Sequence, residues 1–84
     1  MFYVYVLKSQ KDEDLYIGST NDLKRRFREH QEGKSFATKL RAPFELIYYE
    51  AYKNEKDARL REHHLKFRGN SRRFLKERIR NSLD

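Results

Sequence analysis

The chain has 84 residues, which suits a single domain over residues 1–84 and excludes tandem domains and long repeat arrays. Twenty Lys and Arg against 13 Asp and Glu give a formal net charge of +7, which favours a polyanionic partner; the alternative is a basic face that contacts only solvent. The absence of cysteine excludes disulfides, thiolate zinc sites and a cysteine nucleophile. The first apolar run is too short for a signal peptide or a membrane span. We therefore expect a cytoplasmic protein with no membrane partner.

The first two predicted elements form a β-hairpin. Residues 2–8 and 15–19 are short runs of β-branched and aromatic residues, and the polar residues 10–14 between them suit a hairpin loop. Tyr5 and Tyr16 are spaced to lie on these neighbouring strands. On this pattern alone, strand tyrosines are more often core aromatics than catalysts.

A helix is predicted next, with Thr20, Asn21 or Asp22 as its N-cap and Gly33 at its end. Its apolar positions recur at helical spacing, so one face is expected to lie against the sheet. Two polar residues share that face, which is unusual for a buried helix surface. The face consists of Leu23, Arg26, Phe27 and His30.

The second half of the chain predicts one more strand and two helices. Residues 44–52 have the composition of a strand, with Pro43 before its ladder. A second helix is predicted from a cap at Asn54 to about residue 67. A break at residues 69–71 follows, and then a third, strongly basic helix marked by Phe74, Leu75, Ile79 and Leu83. The predicted order is therefore β-β-α-β-α-α.

The second helix repeats the anomaly of the first. Glu62 falls on the same arc as the apolar residues Ala58 and Leu65, where a carboxylate is costly to bury without a cation or a metal. Together with Arg26 and His30, Glu62 indicates a cleft rather than a sealed core. The alternative is that these residues lie at the protein boundary, with Glu62 in an ordinary ion pair with an arginine such as Arg26.

Two tyrosine motifs carry a resemblance to a known family. Tyr3-Val4-Tyr5 is followed after ten residues by Tyr16-Ile17-Gly18, with an Arg ten residues and a His fourteen residues after Tyr16. This ordered set resembles the signature of the GIY-YIG nuclease domain, and Glu62 fits the glutamate that the family has on a later helix. The resemblance runs from residue 2 to about residue 75 and is closest to the small standalone bacterial members. Tyr3 departs from the family by replacing the glycine of the first motif.

The resemblance implies an α+β fold, a three-stranded antiparallel sheet flanked by helices, and metal-dependent hydrolysis of DNA phosphodiesters. One Mg²⁺ or Mn²⁺ ion would be held at Glu62, mostly through waters. A tyrosine general base needs a neighbouring cation, because its ordinary pKa is ~10. The implied catalytic residues are Tyr5, Tyr16, Arg26, His30 and Glu62.

Each implied catalytic residue has an expected role. Tyr16 is the general base, and Arg26 either stabilises its phenolate or clamps the phosphate. Tyr5 and His30 orient water or relay the proton. Some larger family members supply an asparagine late in the domain, for which Asn70 and Asn81 are the candidates.

The expected nucleic-acid-binding surface is the basic C-terminal region together with a basic loop. Its phosphate-contacting residues are predicted to be Lys39, Arg41, Arg72, Arg73, Lys76, Arg78 and Arg80. The expected substrate is DNA, with RNA left open. A second hypothesis is a non-catalytic nucleic-acid-binding module on the same fold, or one that needs a protein partner for activity or specificity.

Overall fold

A computed structural model describes residues 1–84. The elements are β1 (Phe2–Ser9), β2 (Leu15–Thr20), α1 (Leu23–Gln31), β3 (Phe44–Tyr52), α2 (Glu55–Phe67), α3 (Gly69–Arg78) and a 3₁₀ turn (Arg80–Ser82). The strands form one antiparallel sheet in the order β2-β1-β3. The predicted α+β architecture and element order are therefore confirmed. None of the helices is long and apolar enough to cross a membrane.

The central strand β1 is buried on both of its faces, which places helices on opposite sides of the sheet. Val4 and Val6 belong to a core built with residues of α2 and α3. Tyr5 and Leu7 alternate with them and pack with residues of α1 and the start of β3. Because successive strand residues point to opposite faces, α1 covers one face and α2 with α3 covers the other.

Local sequence explains where the first helix begins and where it ends. Asp22 is the N-cap, and its carboxylate accepts a hydrogen bond from the backbone N–H of Arg25 at 3.1 Å. Gly33 follows the end of α1 with φ of +70°, a left-handed conformation that favours glycine. The chain then enters residues 34–43, a loop of consecutive turns that leads into β3.

The third helix begins earlier than the sequence predicted. The break between α2 and α3 is the single extended residue Arg68, with φ −115° and ψ 111°, and α3 starts at Gly69. Gly, Asn and Ser are poor residues in a helix interior, but the first turn tolerates them. Arg72 stabilises the junction by donating to the backbone carbonyls of Leu65 and Lys66. The helix ends at Arg78, so Arg80 lies in the 3₁₀ turn and not in α3.

Candidate active site

A buried hydrogen-bonded chain links β1, α1 and the loop after α1. The Tyr5 hydroxyl lies 2.8 Å from His30 Nε2, and His30 Nδ1 lies 2.6 Å from the Thr38 hydroxyl. All three residues are buried. The buried polar atoms therefore satisfy one another, and both ring nitrogens of His30 are held in place.

Gly18 gives the Tyr5 ring its space on the sheet. Gly18 pairs with Tyr5 across β1 and β2. A Cβ built at Gly18 would lie 2.4 Å from the Tyr5 hydroxyl oxygen and 2.5 Å from Cζ, which is inside van der Waals contact. The glycine of the Tyr16-Ile17-Gly18 motif is therefore needed for Tyr5 to lean across the neighbouring strand and meet His30.

Arg26 projects from α1 at the edge of this buried chain. Its Nη1 donates to the Glu29 carboxylate at 3.0 Å, and its Nη2 donates to the Ser35 hydroxyl at 3.2 Å. The side chain is about one third exposed. A guanidinium has five N–H donors, so Arg26 keeps donors available for a phosphate.

Tyr16 on β2 is the tyrosine of the site that solvent can reach. Its ring centroid lies 5.2 Å from that of His30 and 6.5 Å from that of Tyr5. The residue is half-buried and lines a surface groove, whereas Tyr5 is buried. The structure thus brings Tyr16 together with the buried Tyr5–His30 pair at the β2 edge.

Glu62 approaches the same edge from the opposite side of the sheet. Its carboxylate accepts a hydrogen bond from the Ser19 hydroxyl at 2.6 Å and pairs with Lys66 Nζ at 2.8 Å. Lys66 Nζ also lies 5.8 Å from the centre of the Tyr16 ring. The expected alternative of an Arg26–Glu62 ion pair is not formed, because α1 and α2 pack on opposite faces.

Burial determines the protonation states of Tyr5 and His30. It raises the pKa of Tyr5 to about 12, although the nearby Arg26 guanidinium acts in the opposite direction. It lowers the pKa of His30 to about 4, and the positive charge of Arg26 lowers it further. At neutral pH, Tyr5 is therefore a neutral phenol and His30 a neutral imidazole.

A groove of about 630 Å³ runs along the β2 edge beside Tyr16. Five cationic side chains line it against two acidic ones, Glu13 and Asp14. This excess of positive charge suits a polyanion such as a nucleic-acid backbone. The five cations are Lys8, Arg41, Lys66, Arg72 and Lys76.

The structure divides the seven cations that the sequence predicted for nucleic-acid binding. Arg41, Arg72 and Lys76 line the groove, with Arg41 ion-paired to Asp12 at 2.7 Å. The other four do not line it. Lys39 lies on the loop after α1, and the remaining three lie on or after α3: Arg73, Arg78 and Arg80.

The donor set at Glu62 suits a magnesium ion that keeps most of its waters. Glu62 is a single carboxylate at the rim of the site, and no group of three or more His, Cys, Asp and Glu residues converges as a metal cage. Mg²⁺ is commonly bound by one or two carboxylates together with substrate phosphates. One carboxylate therefore fits such an ion, provided that Lys66 moves away from Glu62.

Four residues of the site were not predicted from the sequence. The sequence could have predicted the position of Lys66, because it lies four residues after Glu62 and hence on the same face of α2. No sequence pattern indicates the other three residues, because only the fold brings them to their partners. The hydrogen-bond partners of Ser19, Ser35 and Thr38 lie 43, 9 and 8 residues away in the sequence.

Comparison with known proteins shows similarity along most of the chain. The sequence model of a family described as the GIY-YIG catalytic domain matches residues 1–78. A UPF0213 protein of Clostridium perfringens is 43% identical over 67 residues, which cover 79% of this chain and 71% of that protein. A UPF0213 protein of Bacillus licheniformis is 35% identical over 85 residues, covering 98% and 87%. The solution NMR structure of the UPF0213 protein BH0048 from Bacillus halodurans has a TM-score of 0.54 and 32% identity, with 89% and 83% of the two chains covered.

Proposed function

Because the chain belongs to the GIY-YIG catalytic domain family, a nuclease domain, we propose that it is a metal-dependent endonuclease or nickase that hydrolyses DNA phosphodiester bonds. One observation carries the proposal. Tyr16 and Arg26 adjoin the buried Tyr5–His30 pair on one face of the sheet, and Glu62 lies beside Ser19 on the other face of the same β2 edge. A core that served only packing would have no need to gather these groups at one edge of the sheet.

Tyr16 is the proposed general base, since it is the tyrosine that a water molecule can reach. Lys66 supplies the positive charge that can stabilise negative charge on Tyr16 as it takes a proton from the water. The sequence left two roles open for Arg26, stabilising the Tyr16 phenolate or clamping the phosphate. Its contacts to Glu29 and Ser35 favour the second role, in which its remaining donors bind the phosphate.

Tyr5 and His30 are proposed to act by positioning. Both side chains are closed off from bulk solvent, so the direct contact with the attacking water that the sequence predicts would require the site to open. Their hydrogen bond and their packing against Tyr16 hold its ring in one orientation. Orientation of this kind places the base within reach of the nucleophile.

Glu62 is the proposed ligand of one Mg²⁺ or Mn²⁺ ion. A bound ion at this position would supply positive charge for the developing phosphoryl oxyanion and the leaving oxygen. Ser19 orients the Glu62 carboxylate through its hydroxyl. Lys66 pairs with Glu62 in this structure and would remain beside Tyr16 after releasing it.

A second candidate is a nucleic-acid-binding module without efficient catalysis of its own. The observation that favours it is the Lys66–Glu62 ion pair at 2.8 Å, which satisfies the carboxylate without a metal. The basic groove would serve this function equally well.

The deciding test is cleavage of a supercoiled plasmid and of branched oligonucleotides, with Mg²⁺ or Mn²⁺ against chelator. The proposal expects divalent-dependent nicking by the wild type and its loss in Tyr16→Phe. Binding without cleavage under every condition would favour the module instead.

Lys66→Met tests the assigned cation, with Lys56→Met as its control. Lys56 is exposed in the first turn of the same helix and makes no ion pair. Lys66→Met is expected to lower the rate of cleavage, while Lys56→Met leaves the rate unchanged. An unchanged rate in Lys66→Met would remove Lys66 from the chemistry.

A further inference from the structure

The loop after α1 presents two large apolar side chains to solvent. Phe36 is 87% exposed and Leu40 is 75% exposed. Exposed aromatic side chains at this level contribute nothing to the core and are common at binding surfaces. Neither residue is used by the site described above.

The same loop is fixed from its inner side to that site. Ser35 accepts a hydrogen bond from Arg26, and Thr38 binds His30. Turns close the segment, with the Thr38 N–H donating to the Ser35 carbonyl at 3.1 Å and the Arg41 N–H to the Thr38 carbonyl at 2.9 Å. The backbone segment that carries Phe36 is therefore anchored to Arg26 and His30 through Ser35 and Thr38.

The charge of the loop indicates the class of molecule that Phe36 meets. Residues 34–41 contain three cations and no acid. Lys34 pairs with Glu32 and Arg41 with Asp12, but Lys39 makes no ion pair and lies 5.1 Å from the centre of the Phe36 ring. An aromatic face beside a free cation is the combination that binds an unpaired base and its phosphate.

We propose that Phe36 is a stacking platform for an unpaired base next to the cleavage site. This inference rests on the proposed function in taking DNA as the substrate, and it names the substrate class as DNA with an unpaired or distorted segment. A fully paired duplex offers no free base face inside its stack. The Lys39 ammonium lies over the Phe36 ring, so the surface around Phe36 is charged, whereas the buried core of a protein interface is depleted of charged residues.

The experiment measures binding of the full chain to two DNA probes in the presence of chelator. One probe is a 20-base-pair duplex that carries a three-nucleotide bulge with a 2-aminopurine, and the other is the fully paired duplex. Phe36→Ala should weaken binding of the bulged probe by about 5- to 100-fold and abolish the 2-aminopurine quenching. Phe36→Trp should retain both, and binding of the paired probe should not change.

Phe67→Ala is the matched control, since Phe67 is 73% exposed on α2 and away from the loop. It should bind both probes as the wild type does, and neither alanine variant should change the melting temperature. If the wild type binds DNA and Phe36→Ala binds the bulged probe with the same affinity, the stacking role is wrong. A protein partner would then be the alternative ligand of the loop. If the wild type binds neither probe, the proposed function fails and this inference fails with it.

Discussion

Replacing Gly18 with alanine tests how the sheet positions the site. The new Cβ would lie 2.4 Å from the Tyr5 hydroxyl oxygen, whereas non-bonded carbon contacts are most favourable at about 3.5–4.0 Å. Tyr5 must therefore retreat by roughly 1 Å. The 2.8 Å bond to His30 would then be stretched beyond hydrogen-bonding distance.

Gly18→Ala should lower the free energy of unfolding by about 2–4 kcal/mol, because overpacking is combined with an unsatisfied buried imidazole. A chain of this length has about 4–13 kcal/mol in total. Urea denaturation followed by circular dichroism measures the change, and cleavage should fall with it.

Alanine substitutions at two other glycines provide reference changes in the free energy of unfolding. Gly69→Ala should be neutral or slightly stabilising, because Gly69 starts α3 and a Cβ added there would meet no other atom within 4 Å. Gly33→Ala should cost about 1 kcal/mol, from its φ of +70° alone. A Gly18→Ala variant no less stable than Gly33→Ala would refute the argument that Tyr5 needs this gap.

Three further predictions concern single side chains. Glu62→Ala should reduce cleavage by at least ~10² while DNA binding stays equal or tightens, whereas Glu55→Ala on the same helix should change neither; full cleavage with a lower melting temperature would show that Glu62 is only structural. Lys76→Gln should reduce the slope of log affinity against log salt by about one, because Lys76 lines the groove, and Arg78→Gln on the same helix should change it much less. The depressed pKa of His30, about 4, means that the unfolded chain binds more protons than the folded chain between pH 6.5 and 4. Stability should therefore fall as the pH drops through this window, and urea midpoints should show a weaker pH dependence in His30→Gln; an equal dependence in both proteins would contradict it.

The order of elements could be predicted because local signals dominate it. Strand runs, the Asp22 cap and the helical spacing on α1 depend on residues close in sequence. The start of α3 could not, because Gly69 and its neighbours are weak helix formers. Their helix is stabilised by Arg72, which binds carbonyls of the preceding helix.

Only part of the candidate site could be predicted from the sequence, and its layout could not. Periodicity placed Arg26, His30 and Glu62 on apolar helix faces, whereas their expected catalytic roles came from the family resemblance. Periodicity does not say which face of the sheet a helix covers, so it placed Glu62 and Arg26 in one cleft. The structure separates them across the sheet and gives each a partner on its own helix, Lys66 and Glu29.

A substrate that contacts both sides of the site must approach at the β2 edge of the sheet. The edge strand β2 carries Tyr16 on the face covered by α1 and Ser19 on the face covered by α2. A phosphate that meets both Arg26 and an ion at Glu62 must therefore cross the β2 edge, where no further strand pairs. The groove and the loop after α1 share Arg41, which lines the groove and is the last of the three cations in residues 34–41. The proposed function and the proposed stacking role together predict that one nucleic-acid strand crosses β2, with its backbone in the groove and an unpaired base on Phe36.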